Sequence, residues 1–252
     1  MKLGRRKPSN TPAILFKDIL RTVPKHPVSE DYLSDMAGWE MLGNDTYGDC
    51  VAVAWANARR FFTSKLGGVE KYPTLQQVYK LYKTQNPGFP AEDDGMDIQT
   101  MLNYIRKKGG PDGVKPIAFA KVNTASLTEI KAAVYIFGGL ILGIDVQSRN
   151  MDDFDAGKPW TYRKTDSIDG GHGVFAGGYL GKSGNDIRFI TWAQETGLTD
   201  TFWKNLVNIP DGEAWCVIWP ENLGTRQFVE GIDMAKLAAD FLSLTGTVLS
   251  IG

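Results

Sequence analysis

The chain has 252 residues, with 28 basic and 29 acidic side chains, a formal net charge of −1 and 42% hydrophobic residues. This composition is typical of a globular protein, and it gives no indication of nucleic acid or an anionic membrane as a partner. Two cysteines are too few for a disulfide-rich scaffold, and a four-ligand zinc site would need both cysteines and both histidines or additional carboxylates. We therefore expect neither a metal ion nor a cofactor.

The N-terminal leader, residues 1–39, begins with a polar arm that contains two prolines. We predict an extended arm over 1–13 and short helices over 13–22 and 29–36. Terminal charge runs are usually hydrated, so the basic cluster of the arm is expected to be solvated. That cluster comprises Lys2, Arg5, Arg6 and Lys7. The leader as a whole is interpreted either as a lid over a cleft or as an arm that contacts neighbouring subunits.

Neither a signal peptide nor a transmembrane segment is predicted. The apolar part of the leader is short and runs directly into Lys17 and Asp18. The longest later apolar run, around 134–144, contains three glycines and is well below the ~20 residues that span a bilayer. The sequence therefore predicts a cytoplasmic or virion-associated protein without a membrane partner.

After the leader, the hydrophobic spacing is first helical and then typical of strands. Helices are predicted at about 50–65, 75–83, 97–108, 127–137 and 233–244. Strands are predicted at 140–146, 172–180, 187–192 and 214–219. Helices followed by strands, without alternation, favour an α+β fold in which a helical lobe faces a sheet lobe. We divide the chain into the leader, a main domain of 40–222 and a C-terminal helical extension of 223–252.

Cys50 and His172 are the residues best suited to catalysis. Cys50 opens the first long helix, where the helix dipole favours a thiolate, and His172 lies on a predicted strand of the opposite lobe. Such a pair could form a nucleophile and a base across a cleft. Asp49 is a plausible helix cap, but its negative charge would oppose ionisation of the thiol. Cys216 lies in a buried strand pattern and is expected to be an inert core thiol.

Several motifs follow one another in an order typical of one superfamily. They are Asn44 six residues before Cys50, Asp94-Gly95-Met96-Asp97, Gly171-His172-Gly173, Gly178-Tyr179 and Thr191-Trp192 with Gly197. Over about 40–220 these motifs resemble the papain-like cysteine peptidases, including the bacteriocin-processing branch. The whole chain also resembles uncharacterised proteins of actinobacteria and their phages.

This resemblance implies a papain-like two-lobed fold with an antiparallel sheet lobe. It also implies Cys50 as nucleophile, His172 as base and Asn44 as the side-chain donor of an oxyanion hole. The substrate cleft would include Gly95, Gly171 and Trp192, and its substrate would be a peptide or protein.

The chain departs from the papain-like pattern at the third catalytic position. The asparagine that orients the histidine in papain-like enzymes aligns with Ile190, which cannot accept a hydrogen bond. The orienting role would pass to Thr191, Gln194, Asn185, Asp186 or a backbone carbonyl.

Three functions remain open at this point. The first is a papain-like thiol hydrolase or transferase that acts on a peptide or isopeptide, and the second is an amidase or transglutaminase relative that acts on cell-wall or side-chain amides. The third is a catalytically retired scaffold that serves as a structural or interaction component of a phage virion or another large assembly.

Overall fold

A computed structural model describes residues 1–22, 25–181 and 186–250, and the protein folds around one mostly antiparallel sheet. Its described strands are β1 (Ile14–Leu15), β2 (Glu30–Asp31), β3 (Ala118–Val122), β4 (Leu140–Gln147), β5 (Ile168–Tyr179), β6 (Ile187–Thr191), β7 (Gln194–Leu198) and β8 (Glu213–Ile218). They lie in the order β1-β3-β8-β4-β5-β6-β7, and β2 pairs with β5. Together with the helices, this sheet confirms the predicted α+β class.

The helices occur both before the sheet and between its strands. They are α1 (Cys50–Phe61), α2 (Leu75–Tyr82), α3 (Ile98–Lys108), α4 (Leu127–Phe137), α5 (Ser148–Asp155), α6 (Asp200–Phe202), α7 (Arg226–Gly231) and α8 (Met234–Thr245). The predicted helices from residue 50 onward are confirmed within a few residues, and α4 has the predicted bounds. None of the helices in the described ranges is long and apolar enough to cross a membrane.

Local capping explains where two helices of the helical lobe begin. Thr74 and Gln77 form a reciprocal capping box at α2, and the Asp97 carboxylate accepts the Thr100 N–H at α3. No such bond forms at α1, where the Asp49 side chain makes no capping contact. Asp49 therefore occupies the expected N-cap position of α1 without a side-chain capping bond.

The central sheet is buried on both faces, because side chains alternate along each strand. Ile141, Phe175 and Ile190 point into the core that contains α1. Their neighbours in sequence, such as Val174 and Phe189, belong to the core on the other face. This alternation decides which strand residues can reach the candidate site.

The leader is part of the sheet and does not form the two predicted helices. β1 pairs in parallel with β3, and β2 pairs antiparallel with β5. A short 3-10 turn at Phe16–Asp18 is the one helical piece described within 13–22. Segments this short have weak helical preference, so pairing with distant strands determines their conformation. The leader also contacts the C-terminal extension, since Asp233 donates its N–H to the Ile19 carbonyl.

Candidate active site

Cys50 lies beside the strand that carries His172, and no hydrogen bond joins the thiol to the imidazole in the described part of the chain. Cys50 is the first residue of α1, and His172 lies on β5. The backbone N–H of Gly173 donates to Cys50 Sγ at 3.3 Å, so the sulfur lies beside the backbone that carries the histidine. Each of the two side chains has about 1% of its surface exposed.

Among the described residues, Thr191 is the one that forms a hydrogen bond with the histidine ring. His172 Nε2 lies 2.7 Å from Thr191 Oγ1, while Nδ1 has no hydrogen-bond partner in the described part of the chain. Alternation along β6 explains the contact, because Ile190 points into the α1 core and Thr191 points to the face of His172. We assign the neutral tautomer with hydrogen on Nε2, which leaves Nδ1 as an acceptor.

The other orienting candidates make different contacts. Gln194 is exposed at the start of β7. Asp186 accepts the Gly181 N–H and pairs with Lys131. Asn185 lies outside the described residues.

Burial holds the histidine in its neutral form. The Trp192 ring lies over the imidazole, with centroids 4.8 Å apart, and Trp160 lies beside it. Desolvation, assisted by the positive charge of Arg5, lowers the pKa of His172 to about 3. Trp192, predicted to line the substrate cleft, therefore covers the candidate base.

The thiol and its neighbouring carboxyl are also uncharged near neutral pH. Desolvation raises the pKa of Cys50 to about 12, although the backbone N–H groups of Gly173 and Gly4 oppose the shift. Desolvation likewise raises the pKa of Asp49 to about 8, although the nearby Asn44 side chain opposes the shift without reaching hydrogen-bond geometry. The expectation that Asp49 carries a negative charge beside the thiol is thus wrong near pH 7.

The N-terminal arm runs through the cleft between the two lobes. Asn44 binds Lys2 twice, because its carbonyl accepts the Lys2 N–H at 2.9 Å and its side-chain amide donates to the Lys2 carbonyl at 3.2 Å. On the sheet lobe, the Gly171 carbonyl accepts the N–H groups of Gly4 and Arg5 at 3.1 and 2.9 Å. On the helical lobe, Met96 donates to the Gly4 carbonyl at 2.8 Å. These contacts place residues 2–5 between the two lobes, as a lid would lie, while the role of the leader stays a prediction.

Glycines allow the arm to lie this deep. A Cβ on Gly4 would be 1.9 Å from the Gly48 carbonyl oxygen, and one on Gly95 would be 2.0 Å from the Gly4 oxygen. Gly95 also has a φ of +79°, which favours glycine. The arm and the cleft are therefore fitted to one another at backbone level.

Comparison with known proteins gives a fold and no closer relationship. No family model matches the chain, and no curated protein matches it. The structure is similar to xylellain, a cysteine protease from Xylella fastidiosa, with a TM-score of 0.65 and 14% identity over 87% of this chain and 98% of that one.

Two proforms of cathepsins match the structure similarly. Procathepsin B S9 from Trypanosoma congolense gives a TM-score of 0.60 and 12% identity over 86% of each chain. Digestive procathepsin L 3 of Tenebrio molitor gives 0.61 and 15% over 85% of this chain and 76% of that one. The chain has the papain-like fold.

Within this papain-like fold, the structure adds a charged site that the sequence did not indicate. Arg5, expected to be solvated, is 6% exposed, and its guanidinium reaches the carboxylates of Asp145 and Glu213. The sequence identified Arg5 only as a member of the basic cluster, and no motif predicted that Asp145 and Glu213 are its partners. They lie 140 and 208 residues away along the chain, so only the folded structure brings them to Arg5.

Proposed function

We propose that the protein is a papain-like thiol hydrolase, a peptidase or amidase, in which Cys50 is the nucleophile and His172 the base. The main support is that the cleft already binds a peptide backbone. The Asn44 amide donates to the carbonyls of Lys2 and Tyr47, and Asn44 precedes by six residues the thiol that opens α1. An amide donor in this place can stabilise the oxyanion of a bound acyl group.

The proposed chemistry requires Nδ1 of His172 to come within hydrogen-bond reach of the Cys50 thiol, a contact that the closed form lacks. Cys50 Sγ would attack an acyl carbonyl and form a thioester, while Nδ1 of His172 takes the thiol proton and returns it to the leaving amine. Water would then hydrolyse the thioester and regenerate the thiol. The hydrogen bond from Nε2 to Thr191 would fix the ring so that Nδ1 stays free for this transfer.

In the closed form this enzyme is latent. A thiol with a pKa near 12 and an imidazole with a pKa near 3 exchange no proton at neutral pH. Because desolvation is the largest cause of both shifts, displacement of the arm would let water in and move the two pKa values towards each other. The arm thus acts as a lid that keeps the pair uncharged.

The test compares the parent, in which the arm occupies the cleft, with a variant in which the arm is displaced; we call this variant the opened chain. In full-length Gly4→Ala, whose added Cβ conflicts with the closed arm, we expect a peptidyl acyl probe to label Cys50. Labelling should disappear in Gly4→Ala/Cys50→Ala and fall at least tenfold in Gly4→Ala/His172→Gln. Iodoacetamide, which reacts with an accessible thiol without any need for peptide binding or acyl transfer, serves as the control. If iodoacetamide modifies Cys50 in the opened chain and the acyl probe does not, the hydrolase proposal is wrong.

A second function, a non-catalytic scaffold in a larger assembly, is favoured by one observation. The cleft is blocked and both candidate catalytic groups are buried and uncharged. This function predicts an accessible but unactivated thiol in the opened chain, together with association of the full chain through its leader. Light scattering that gives a monodisperse monomer at high concentration would contradict it.

A further inference from the structure

The side chain of Arg5 occupies a defined acidic pocket of the sheet lobe. Arg5 Nη2 lies 2.9 Å from Asp145 Oδ1, and Nη1 lies 2.6 Å from the Asp211 carbonyl and 3.5 Å from Glu213 Oε1. Its side chain is 2% exposed. A buried guanidinium is tolerated only with partners of this kind, since burial of an unpaired charge is strongly unfavourable.

The body of the protein builds this pocket, and the arm adds only its occupant. A Cβ on Gly143 would lie 2.7 Å from Arg5 Cδ, and one on Gly171 would lie 3.0 Å from Arg5 Nε. These two glycines leave room for an arginine stem. Trp215 Nε1 donates to Glu213 Oε2 at 2.7 Å and holds that carboxylate in place.

The pocket opens directly beside the candidate catalytic pair. The Arg5 N–H donates to the carbonyl of Gly171, the residue before His172. The next residue along β5, Gly173, donates to the Cys50 sulfur. A peptide that places a side chain in this pocket therefore passes its backbone close to the thiol.

We propose that this pocket is a specificity subsite that takes an arginine side chain of the substrate, and that Arg5 is its intramolecular occupant. The proposal rests on the proposed hydrolase function. Arginine fits better than lysine, because separate guanidinium nitrogens contact the Asp145 carboxylate and the Asp211 carbonyl. An ammonium group would present a single nitrogen to partners on two sides.

Chemical rescue tests the pocket without any need for turnover. In the full-length Cys50→Ala chain, Arg5→Ala removes the side chain beyond Cβ, and added ethylguanidinium can occupy the space of the missing atoms. Propylammonium, which corresponds to a lysine side chain beyond Cβ, is the comparison cation. We expect 10 mM ethylguanidinium to raise the Tm of Arg5→Ala by at least 3 °C and propylammonium to raise it by less than half as much. The shift should be below 1 °C when Arg5 is present, and it should be lost when Asp145→Asn is added. Equal shifts for both cations, or a shift that is independent of Asp145, would overturn the proposal.

A second measurement links the pocket to the substrate. In Gly4→Ala, which displaces the arm, paired fluorogenic peptides that differ only by arginine or leucine are compared. We expect at least a tenfold preference in kcat/KM for the arginine peptide, reduced several-fold by Asp145→Asn. Hydrolysis without that preference overturns the subsite and leaves the hydrolase intact. A different result would be rescue of the Tm by ethylguanidinium but no hydrolysis of either peptide by the opened chain. That result would overturn the hydrolase proposal and, with it, the assignment of the pocket to a substrate.

Discussion

The two halves of the cleft respond differently to burial beneath the same arm. The neutral half contains Cys50, His172 and Asp49, and the charged half contains Arg5 with Asp145 and Glu213. In the neutral half, burial shifts each pKa towards the uncharged form. In the charged half, the Arg5 guanidinium contacts a carboxylate and a carbonyl. Desolvation still raises the pKa of Glu213 there, although the Trp215 hydrogen bond and the charge of Arg5 oppose the shift. Burial therefore disfavours carboxylate charge in both halves, and the charged half differs because it supplies a cation that opposes the shift.

The two halves are also coupled. Arg5 adds to the desolvation that lowers the pKa of His172, and its positive charge acts in the opposite direction to desolvation at the Cys50 thiol. Displacement of the arm would therefore expose the neutral half to water and, at the same time, remove Arg5 from the acidic pocket. Because the N-terminal arm covers both halves of the cleft, displacement of the arm tests the difference between them.

The largest effect is expected from Gly4→Ala, because its Cβ would lie 1.9 Å from the Gly48 oxygen and the arm cannot remain in place. We expect alkylation of Cys50 by iodoacetamide at pH 7 to accelerate at least a hundredfold, as measured by mass spectrometry. Gly224→Ala is the matched control, since no described atom lies within 4 Å of its added Cβ. Cys216, a buried thiol in the opposite core, should stay protected. An unchanged Cys50 rate would show that the arm does not control access to the thiol.

The next effect concerns Asp49 and the pH dependence of stability. The folded pKa of Asp49, about 8, lies above its ordinary value, so its contribution to stability is complete at low pH and is lost as pH rises towards 8. His172 has the opposite sign, with stability lost as pH falls from about 6.5 towards 3.

Between pH 6.5 and 8 the Asp49 effect can therefore be measured separately. We expect the free energy of unfolding of the parent to fall by about 1 to 2 kcal/mol more than that of Asp49→Asn over this range. Urea unfolding at the two pH values checks this difference. Parallel curves for parent and variant would mean that Asp49 is ionised in the folded chain.

Much of this fold follows from local patterns in the sequence. The apolar spacing and the flanking Ser126 and Gly138 account for α4, which has its predicted bounds. The position of Cys50 at a helix start was likewise predicted, because the apolar run begins there. The leader was predicted wrongly, since β1 and β2 are two-residue strands held by partners more than 100 residues away.

The remaining features of the site depend on contacts between distant residues. The sequence offered several possible partners for His172. The alternation of side chains along β6 directs Ile190 into the α1 core and Thr191 towards His172. The burial of Arg5 was not foreseen, because a basic cluster at a terminus is usually hydrated and its acidic partners come from two distant strands.

The smallest effect, and the sharpest test of the neutral half, is expected at Thr191. The Thr191 hydroxyl is proposed to hold the hydrogen bond at Nε2 of His172, so that Nδ1 stays free. Thr191→Val in the Gly4→Ala chain should then lower the rate of Cys50 alkylation at pH 7 by about fivefold. This change corresponds to the loss of about 1 kcal/mol that one hydrogen bond contributes. Because a mispositioned imidazole supports the thiolate less well, the inflection of the rate against pH should move to higher pH. Thr191→Ser restores the hydroxyl and should recover the rate within twofold, while Gln194→Ala, an exposed neighbour, should change nothing. A Thr191→Val profile with an unmoved inflection would reduce Thr191 to a packing residue and leave His172 without an orienting partner.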